Sequence, residues 1–253
     1  MNRKGGVGKT ATAQALGAGL IRKGFKALFV DLDSQHNLSF GLGAATDGIT
    51  SYEMLTGEAP AERAIQETPQ GDIIAGCGAL AGADAVITGT GKEYRLREAL
   101  EALSGRYDYA ILDTPAALGT LTVNALTAAG SAIIPVQADI YSLQGIGQLA
   151  QTVEAVRKYC NRALSIRGIL ITRFNGRAIL SRDMQSNLEE AARQLKTRLY
   201  STPIRECISI KEAQAQQLDI FSYAPRSNAA KDYEAFISEF LKGGKMLDAE
   251  KEL

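Results

Sequence analysis

The feature that most constrains this chain is a glycine-rich string near its first residue, Lys4-Gly5-Gly6-Val7-Gly8-Lys9-Thr10. Glycine adopts backbone conformations that other residues avoid, and it leaves bare N–H groups that a polyphosphate can approach closely. A helix predicted from about residue 10 directs its positive end at the same anion. In the phosphate-binding loop pattern, Lys9 reaches the β- and γ-phosphates and the Thr10 hydroxyl binds magnesium. The string therefore predicts a site for a nucleotide and Mg²⁺.

Bulk composition restricts the class of protein. The chain has 253 residues, of which 45% are hydrophobic and 22% charged, as in ordinary globular proteins. This length predicts one α/β domain over residues 1–253. No apolar run approaches the roughly 18 residues of a membrane span, so we expect a cytoplasmic protein without a membrane anchor. Three scattered cysteines and the single His36 argue against a disulfide framework, a multi-histidine metal site and a Ser-His-Asp triad.

Apolar runs alternate with helical patterns along the chain. Near-continuous apolar strands are typical of a sheet covered on both faces, and strand–helix alternation predicts a doubly wound, mainly parallel sheet. Residues 76–91, rich in Gly and Ala, are predicted to form a loop or short helix over one edge. The predicted strands are 26–31, 109–113, 132–136 and 166–171, and the predicted helices are about 10–23, 94–104, 118–129, 143–160, 180–198 and 228–241.

Charge is unevenly distributed although the net charge is zero. Residues 157–231 hold 14 basic against 6 acidic residues, whereas residues 1–156 hold 11 against 16. A basic block in a neutral chain indicates an anionic partner for one face. A solvated surface without a partner is the alternative, and composition alone does not choose between them.

The second lysine, Lys4, makes this string more specific than the general phosphate-loop pattern. With it, the string resembles the deviant Walker A signature of the ParA/MinD superfamily of dimeric P-loop ATPases. Three further segments resemble motifs of that superfamily: LFVDLDSQHN at 28–37, YDYAILDTP at 107–115 and IPVQ at 134–137. Two later segments are similar to the end of its ParA/Soj partition branch: PIR at 203–205 and APRS at 224–227. All five occur in the same order as in the superfamily.

The chain also departs from the superfamily pattern. Ser34 stands where proline is usual and His36 where glycine is usual, and neither change removes a charge that the chemistry needs. The superfamily has an apolar strand leading into the loop, whereas only three residues precede Lys4 here. We therefore expect the N-terminal strand to be missing, with a gap or a substitute strand beside the strand of Asp113.

The resemblance implies roles for particular residues. Lys4 would reach the partner's ATP across a dimer interface, Lys9 would neutralise phosphate charge, and Asp33 would orient the attacking water, which makes these three the catalytic candidates. Asp31 would be a supporting acid; helix capping or a polar strand end is the alternative for Asp31 and Asp33. The remaining implied site residues are Thr10, Asp33 and Asp113 for the metal, and Lys4, Gly5, Gly6, Val7, Gly8, Lys9, Thr10, Ala11, Thr172 and Pro203 for the nucleotide.

The partition branch further implies an ATP-driven homodimer that binds nonspecific double-stranded DNA and is stimulated by a DNA-bound, ParB-like partner. Lys196, Arg198 and Arg226 are the implied DNA contacts, and the protein would associate with the nucleoid. The acidic end of the chain, with Asp248, Glu250 and Glu252, argues against the basic amphipathic membrane helix of MinD-type proteins. The alternative function is a nucleotide switch that positions a protein cargo with little hydrolysis and no DNA binding.

Overall fold

The protein is described from a computed structural model that covers residues 6–175 and 179–249, leaving aside the side chains of 140–144, 179–184 and 244–249. Lys4 and Gly5 lie outside these described residues. The strands are β1 (Ala27–Asp31), β2 (Ile65–Thr68), β3 (Gly71–Ile74), β4 (Tyr109–Asp113), β5 (Ser131–Gln137) and β6 (Ser165–Thr172). The α-helices are α1 (Lys9–Arg22), α2 (Asn37–Leu42), α3 (Ser51–Thr56), α4 (Ala61–Ala64), α5 (Ala83–Val86), α6 (Arg95–Glu101), α7 (Thr120–Ala128), α8 (Ile140–Tyr159), α9 (Ile179–Gln194), α10 (Ile208–Ala215), α11 (Ile220–Tyr223) and α12 (Asn228–Ala249).

The strands form a mainly parallel sheet system with helices on both faces. Four strands pair in the order β2-β3-β1-β4, and β5 pairs with β6. Every pair is parallel except the β2–β3 hairpin. The side chains of β1 alternate between two cores: Ala27 and Phe29 pack with α1 and α12, whereas Leu28 and Val30 pack with α6 and α7. This arrangement confirms the predicted doubly wound α/β fold.

Several element bounds differ from the predicted ones for local reasons. The predicted helix 180–198 ends at Gln194, because Lys196 takes a left-handed φ of 52° and the Thr197 N–H donates to the Ala192 carbonyl at 2.9 Å. The predicted helix 228–241 continues to Ala249. Strands β2 and β3 were not predicted, and residues 76–91 contain α5 after a 3₁₀ turn.

A slot separates the two groups of strands. Among the described residues, β1 is the strand partner of β4 and β6 is the partner of β5, so the facing edges of β4 and β5 have no strand between them. A cavity of about 430 Å³ occupies this position, and the Nε of Arg167 beside it is buried without a hydrogen-bond partner in the described chain. The expected gap beside the strand of Asp113 is therefore present. The lining includes Leu16, Leu20, Ala110, Leu112, Ile133, Pro135 and Phe240.

An apolar β-strand joined ahead of Met1 is expected to fill this slot and stabilise the protein. Burying about five apolar side chains contributes roughly 1.5–3 kcal/mol each, while ordering each residue costs roughly 1–2 kcal/mol of backbone entropy. A net gain of a few kcal/mol raises Tm by about 5–10 °C in a chain of this size. Thermal unfolding followed by circular dichroism measures the change.

The control is an extension of equal length in which Ser and Asp replace the apolar residues. Its Tm is expected to match that of the unextended chain, because polar side chains gain nothing from the apolar slot. If both extensions melt at the temperature of the parent, the slot does not accept a strand.

Candidate nucleotide site

The glycine-rich loop enters α1 through left-handed backbone. Gly6 has φ of 77° and Gly8 has φ of 80°. A β-carbon at Gly8 would lie 3.7 Å from Thr172, an ordinary contact, so backbone conformation rather than crowding requires glycine there. Gly8 is the N-cap of α1, and the first turn of this 14-residue helix contains no acidic residue. The helix therefore presents the positive end of its dipole and its first N–H groups to an anion.

Asp31 and Asp113 lie side by side at the carboxyl ends of two paired strands, because the β1–β4 register sets them opposite each other. Asp31 is fully buried and satisfied: one oxygen accepts from the Ser39 N–H (2.9 Å) and hydroxyl (2.7 Å), and the other accepts from the Asp33 N–H (3.0 Å). Burial raises the pKa of Asp31, and the hydrogen bonds from Ser39 oppose that effect. Asp31 thus fixes the start of the turn that carries Asp33.

Asp113 is the least satisfied acid of the site. Its side chain is 2% exposed, and its Oδ2 has no hydrogen-bond partner among the described residues. Burial, followed by the charge of Asp31, raises the pKa of Asp113 to about 7, against the opposing effects of a hydrogen bond from Thr10 and the charge of Lys9. A divalent cation reverses this balance by favouring the ionised carboxylate. Asp113 and Thr10 therefore fit Mg²⁺.

Lys9 completes the charge arrangement. Burial lowers the pKa of the Lys9 ammonium, and the charges of Asp113 and Asp33 oppose that effect. No group of three or more His, Cys, Asp or Glu side chains that would hold a metal occurs in the part of the chain that the structure describes. Mg²⁺ is usually bound by one or two carboxylates together with phosphate oxygens and waters rather than by an all-protein cage.

A cavity of about 700 Å³ opens beside the loop, within the size range of small-molecule sites. Asp33 and Gln35 line this cavity together with the segment 204–207 and residues of α10. The loop residues that line the cavity are Gly6, Gly8, Lys9, Thr10 and Ala11. The structure therefore brings the described part of the predicted phosphate loop and Asp33 to one cavity.

The two predicted adenine residues take different positions. Thr172 is buried at the end of β6, where its hydroxyl lies 2.7 Å from the Val7 carbonyl and 3.0 Å from the Val136 carbonyl, and it also lines the cavity. It therefore holds the loop against β6. Pro203 lines a separate cavity of about 350 Å³, whereas the next residue, Ile204, lines the loop cavity. Contact of either residue with adenine stays a prediction.

Comparison with known proteins agrees with this geometry. A family model described as an AAA domain matches residues 1–166. The chain is 38% identical to the sporulation initiation inhibitor protein Soj of Bacillus subtilis, over 96% of this chain and 97% of that protein. It is 35% identical to the chromosome partitioning protein ParA of Myxococcus xanthus, over 95% and 86%. The chain belongs to the Soj/ParA family of chromosome-partitioning ATPases.

Solved structures extend the similarity to the fold. Cobyrinic acid a,c-diamide synthase from Mycobacterium smegmatis, crystallised with bound ADP and magnesium, has a TM-score of 0.83 and 32% identity, covering 97% of this chain and 93% of that one. The Soj/ParA-family chain thus shares its fold with a protein that holds a magnesium nucleotide. No helix within its described residues is both long and apolar enough to cross a membrane.

The predicted DNA residues of this Soj/ParA-family chain differ in exposure. Arg226 is exposed just before α12, and Lys196 is exposed after α9. Arg198 is half-buried: its guanidinium lies 4.7 Å from the Tyr200 ring centre and donates to the carbonyls of Arg167 (3.3 Å) and Glu239 (3.4 Å). Arg198 therefore also packs the chain onto α12. DNA contact by these residues stays a prediction.

Three residues of the site were not predicted from the sequence. Ser39 binds Asp31 from α2, and Arg173 and Glu206 pair across the cavity wall. Arg205, counted in the basic block, forms a bidentate pair with the nearly buried Asp232 of α12, at 2.6 and 2.8 Å. The one available signal for Arg173 is its place two residues after the predicted strand 166–171, near the carboxyl end of a parallel strand, where such sheets carry their sites.

The raised pKa of Asp113 predicts a pH-dependent stability. Because the folded pKa of about 7 lies above the ordinary 3.8, the unfolded chain releases this proton first as pH rises. The free energy of unfolding therefore falls between about pH 4 and pH 7. Asp113→Asn removes this pH-dependent loss of stability. In the absence of nucleotide and Mg²⁺, the Tm of the variant is therefore expected to exceed that of the parent, and the difference in Tm is expected to widen from pH 5 to pH 8.

Differential scanning fluorimetry across this pH range measures the margin. Asp47→Asn, on an exposed loop, removes the same formal charge and is expected to follow the parent at every pH. A margin for Asp113→Asn that stays constant with pH would contradict the assignment.

Proposed function

We propose that this chain is a DNA-partitioning ATPase that binds ATP and Mg²⁺ in the loop cavity and dimerises around the nucleotide. The ATP-bound dimer would bind duplex DNA without sequence preference, in the cytoplasm on the nucleoid, and a DNA-bound, ParB-like protein would stimulate hydrolysis. One observation carries the proposal: the buried, under-satisfied Asp113 lies beside Lys9 and Thr10, two loop residues that line the cavity. The magnesium nucleotides bound by the related synthase support it.

Lys9, Thr10, Asp33 and Asp113 each have a separate part in the proposed chemistry. Phosphoryl transfer depends on charge neutralisation and an in-line nucleophile rather than on covalent catalysis. Lys9 and the first turn of α1 would bind the phosphates. Thr10 and Asp113 would hold Mg²⁺, which neutralises phosphate charge when bound. Asp33, which lines the cavity, would orient the attacking water, held in place by the turn that Asp31 anchors.

Dimerisation has support from apolar side chains at the cavity. Phe40 lines the cavity and is 53% exposed, and Ile208 is 64% exposed between the lining residues Cys207 and Ile210. Large exposed apolar side chains beside a site are common where a partner covers it. A second copy over the cavity would bring its own loop, with Lys4, toward the nucleotide.

Substitution of Lys9 and Asp33 tests the separate roles. Lys9→Ala is expected to weaken ATP binding at least about tenfold, because a charge-assisted interaction with the phosphates is lost. Asp33→Ala is expected to bind ATP normally but to lower kcat about 100-fold, because only the positioned water is lost. Isothermal titration and a phosphate-release assay measure the two quantities.

Lys23→Ala is the matched control, since Lys23 is an exposed lysine at the opposite end of α1. It is expected to keep both ATP affinity and kcat. Equal loss of ATP binding in Lys9→Ala and Asp33→Ala would refute the assigned division of roles.

DNA binding by an ATP dimer is expected to depend on the basic block. If the dimer makes about six phosphate contacts, log affinity falls against log salt concentration with a slope near −5. Arg226→Glu is expected to abolish binding while ATP-dependent dimerisation continues. Lys196→Glu and Arg198→Glu are expected to do the same, with a thermal melt to verify folding of the latter because Arg198 also contacts α12.

Gel shifts with plain duplex DNA, with and without ATP, measure this binding. Arg63→Glu makes the same charge change at an exposed arginine in the acidic segment 1–156. This variant is expected to bind DNA like the parent. If the ATP-bound parent does not bind duplex DNA at low salt, the basic block is a solvated face. The cargo-positioning switch would then be the better-supported function.

A further inference from the structure

The start of α7 is capped from a distant part of the chain. Its own N-cap residue, Gly119, has no side chain that accepts from the free N–H groups of the first turn, and that turn contains no acidic residue. Asp84 of α5 supplies the acceptor instead, because the Thr120 N–H donates to its Oδ1 at 2.8 Å. Hydrogen bonds from the hydroxyl and the N–H of Thr120 hold the pKa of the Asp84 carboxyl below its usual range. A carboxylate 36 residues away therefore caps this helix.

Asp84 and Gly119 fit closely against each other. A β-carbon at Gly119 would lie 2.9 Å from Oδ2 and 3.2 Å from Oδ1 of Asp84, so the carboxylate would have to move. Gly119 has φ of −95°, which any residue adopts, so the contact with Asp84 rather than backbone conformation favours glycine there. A Ser or Asp side chain at this position would cap the helix locally. The chain instead leaves room for a cap that connects two distant segments.

The segment that carries Asp84 is fixed at both of its ends. At its start, the Gly76 N–H donates to the Ser39 hydroxyl at 2.8 Å, and that hydroxyl donates to Asp31 at 2.7 Å. At its other end, Ala83 is buried in the hydrophobic core that also includes residues of α7. The exposed Asp84 follows directly. The segment 76–84 therefore connects the acids of the nucleotide site to the start of α7.

The chain between Asp113 and Gly119 belongs to the nucleotide site. Ala116 lines the loop cavity, three residues after the carboxylate that fits Mg²⁺. Its N–H donates to no residue in the part of the chain that the structure describes. The Ala117 carbonyl accepts from the Thr122 hydroxyl of α7 at 2.6 Å, so this end of the segment follows the helix. The position of α7 therefore sets where Ala116 lies at the cavity.

We propose that Asp84 is a positioning residue for ATP hydrolysis, which holds the start of α7 so that segment 114–118 keeps Ala116 beside the reacting phosphate. This inference rests on the proposed function, in which Lys9 and Thr10 bind the phosphates. A backbone N–H that is fixed where charge develops stabilises the transition state without reorganisation. Asp84 is not among the described residues that line the cavity, so it acts through Thr120 and the segment before it.

Phosphate release and isothermal titration with ATP, both on the full chain, test this role. Asp84→Ala is expected to lower kcat about tenfold and to keep the ATP affinity of the parent, because the residues that bind the phosphates are unchanged. A tenfold change corresponds to about 1.4 kcal/mol, which is comparable to the loss of a helix N-cap. Asp84→Asn keeps an oxygen that accepts from the Thr120 N–H, so its kcat is expected to stay within about threefold of the parent.

Gly119→Ala disturbs the same contact from the other side. Its β-carbon displaces the Asp84 carboxylate, so this variant is also expected to lower kcat about tenfold. In the Asp84→Ala background the carboxylate is gone, and Gly119→Ala is expected to have no further effect on kcat. A thermal melt verifies that each variant is folded at the assay temperature.

Asp108→Ala is the matched control. Asp108 is also exposed and accepts from a backbone N–H at 2.8 Å, that of Lys26, but it lies at the opposite end of β4 from Asp113. It is expected to keep the kcat and ATP affinity of the parent. If the parent hydrolyses ATP and either Asp84→Ala or Gly119→Ala keeps its kcat, or Asp108→Ala loses as much, the positioning role is overturned and the proposed function stands. If the parent does not hydrolyse ATP, both are overturned.

Discussion

Two buried carboxylates at adjacent strand ends govern the arrangement of this molecule. Asp31 and Asp113 are opposite each other in the β1–β4 register, and a buried charge is costly unless it is hydrogen-bonded or paired. Asp31 is satisfied locally by Ser39 and the Asp33 N–H, whereas the ionised form of Asp113 is favoured only by Thr10 and Lys9 of the loop among the effects that act on its pKa. The need to balance Asp113 thus connects the sheet to the phosphate loop.

The same pair of acids explains why remote segments converge here. A β-carbon at Gly76 would lie 3.0 Å from Asp31 Cγ, so any other residue there would crowd the Asp31 carboxylate. The Gly76 N–H donates to the Ser39 hydroxyl at 2.8 Å, which in turn donates to Asp31. The segment that composition marks as a loop over one edge is therefore anchored to the carboxylate pair at its first residue.

The sequence predicted the central strands β1 and β4 well because each carries a strong local signal. β1 and β4 are continuous apolar runs ending in aspartate, and the glycines before Lys9 have few structural alternatives. β2 and β3 lack such a signal: β2 (Ile65–Thr68) is polar and partly exposed at the sheet edge, and β3 has only Ile73 and Ile74 fully buried. Their pairing is a tertiary effect that single-chain periodicity does not report.

Charged residues were predicted less well than strands for a related reason. A count of basic residues does not distinguish Arg226, which faces solvent, from Arg205, whose guanidinium is paired with Asp232. The count of basic residues also does not reveal that Arg198 packs on Tyr200 and α12. Partners distant in sequence decide whether an arginine is available to a phosphate. A spacing motif is better suited to the phosphate loop, because the ligands predicted there are backbone groups of one short segment.

The slot between β4 and β5 bears on the site because the two share residues. Lys9, Asp113 and Thr114 line the slot, so the phosphate loop stands at one of its ends rather than apart from it. On the far side, the loop is held by the Thr172 hydroxyl, which also lies within hydrogen-bonding distance of the β5 carbonyl of Val136. The loop therefore spans the break in the sheet, fastened to β5–β6 through Val7 and to β4 through the Thr10–Asp113 hydrogen bond. Separation of the strand groups would pull these two attachments apart, so whatever fills the slot stabilises the nucleotide site as well as the core.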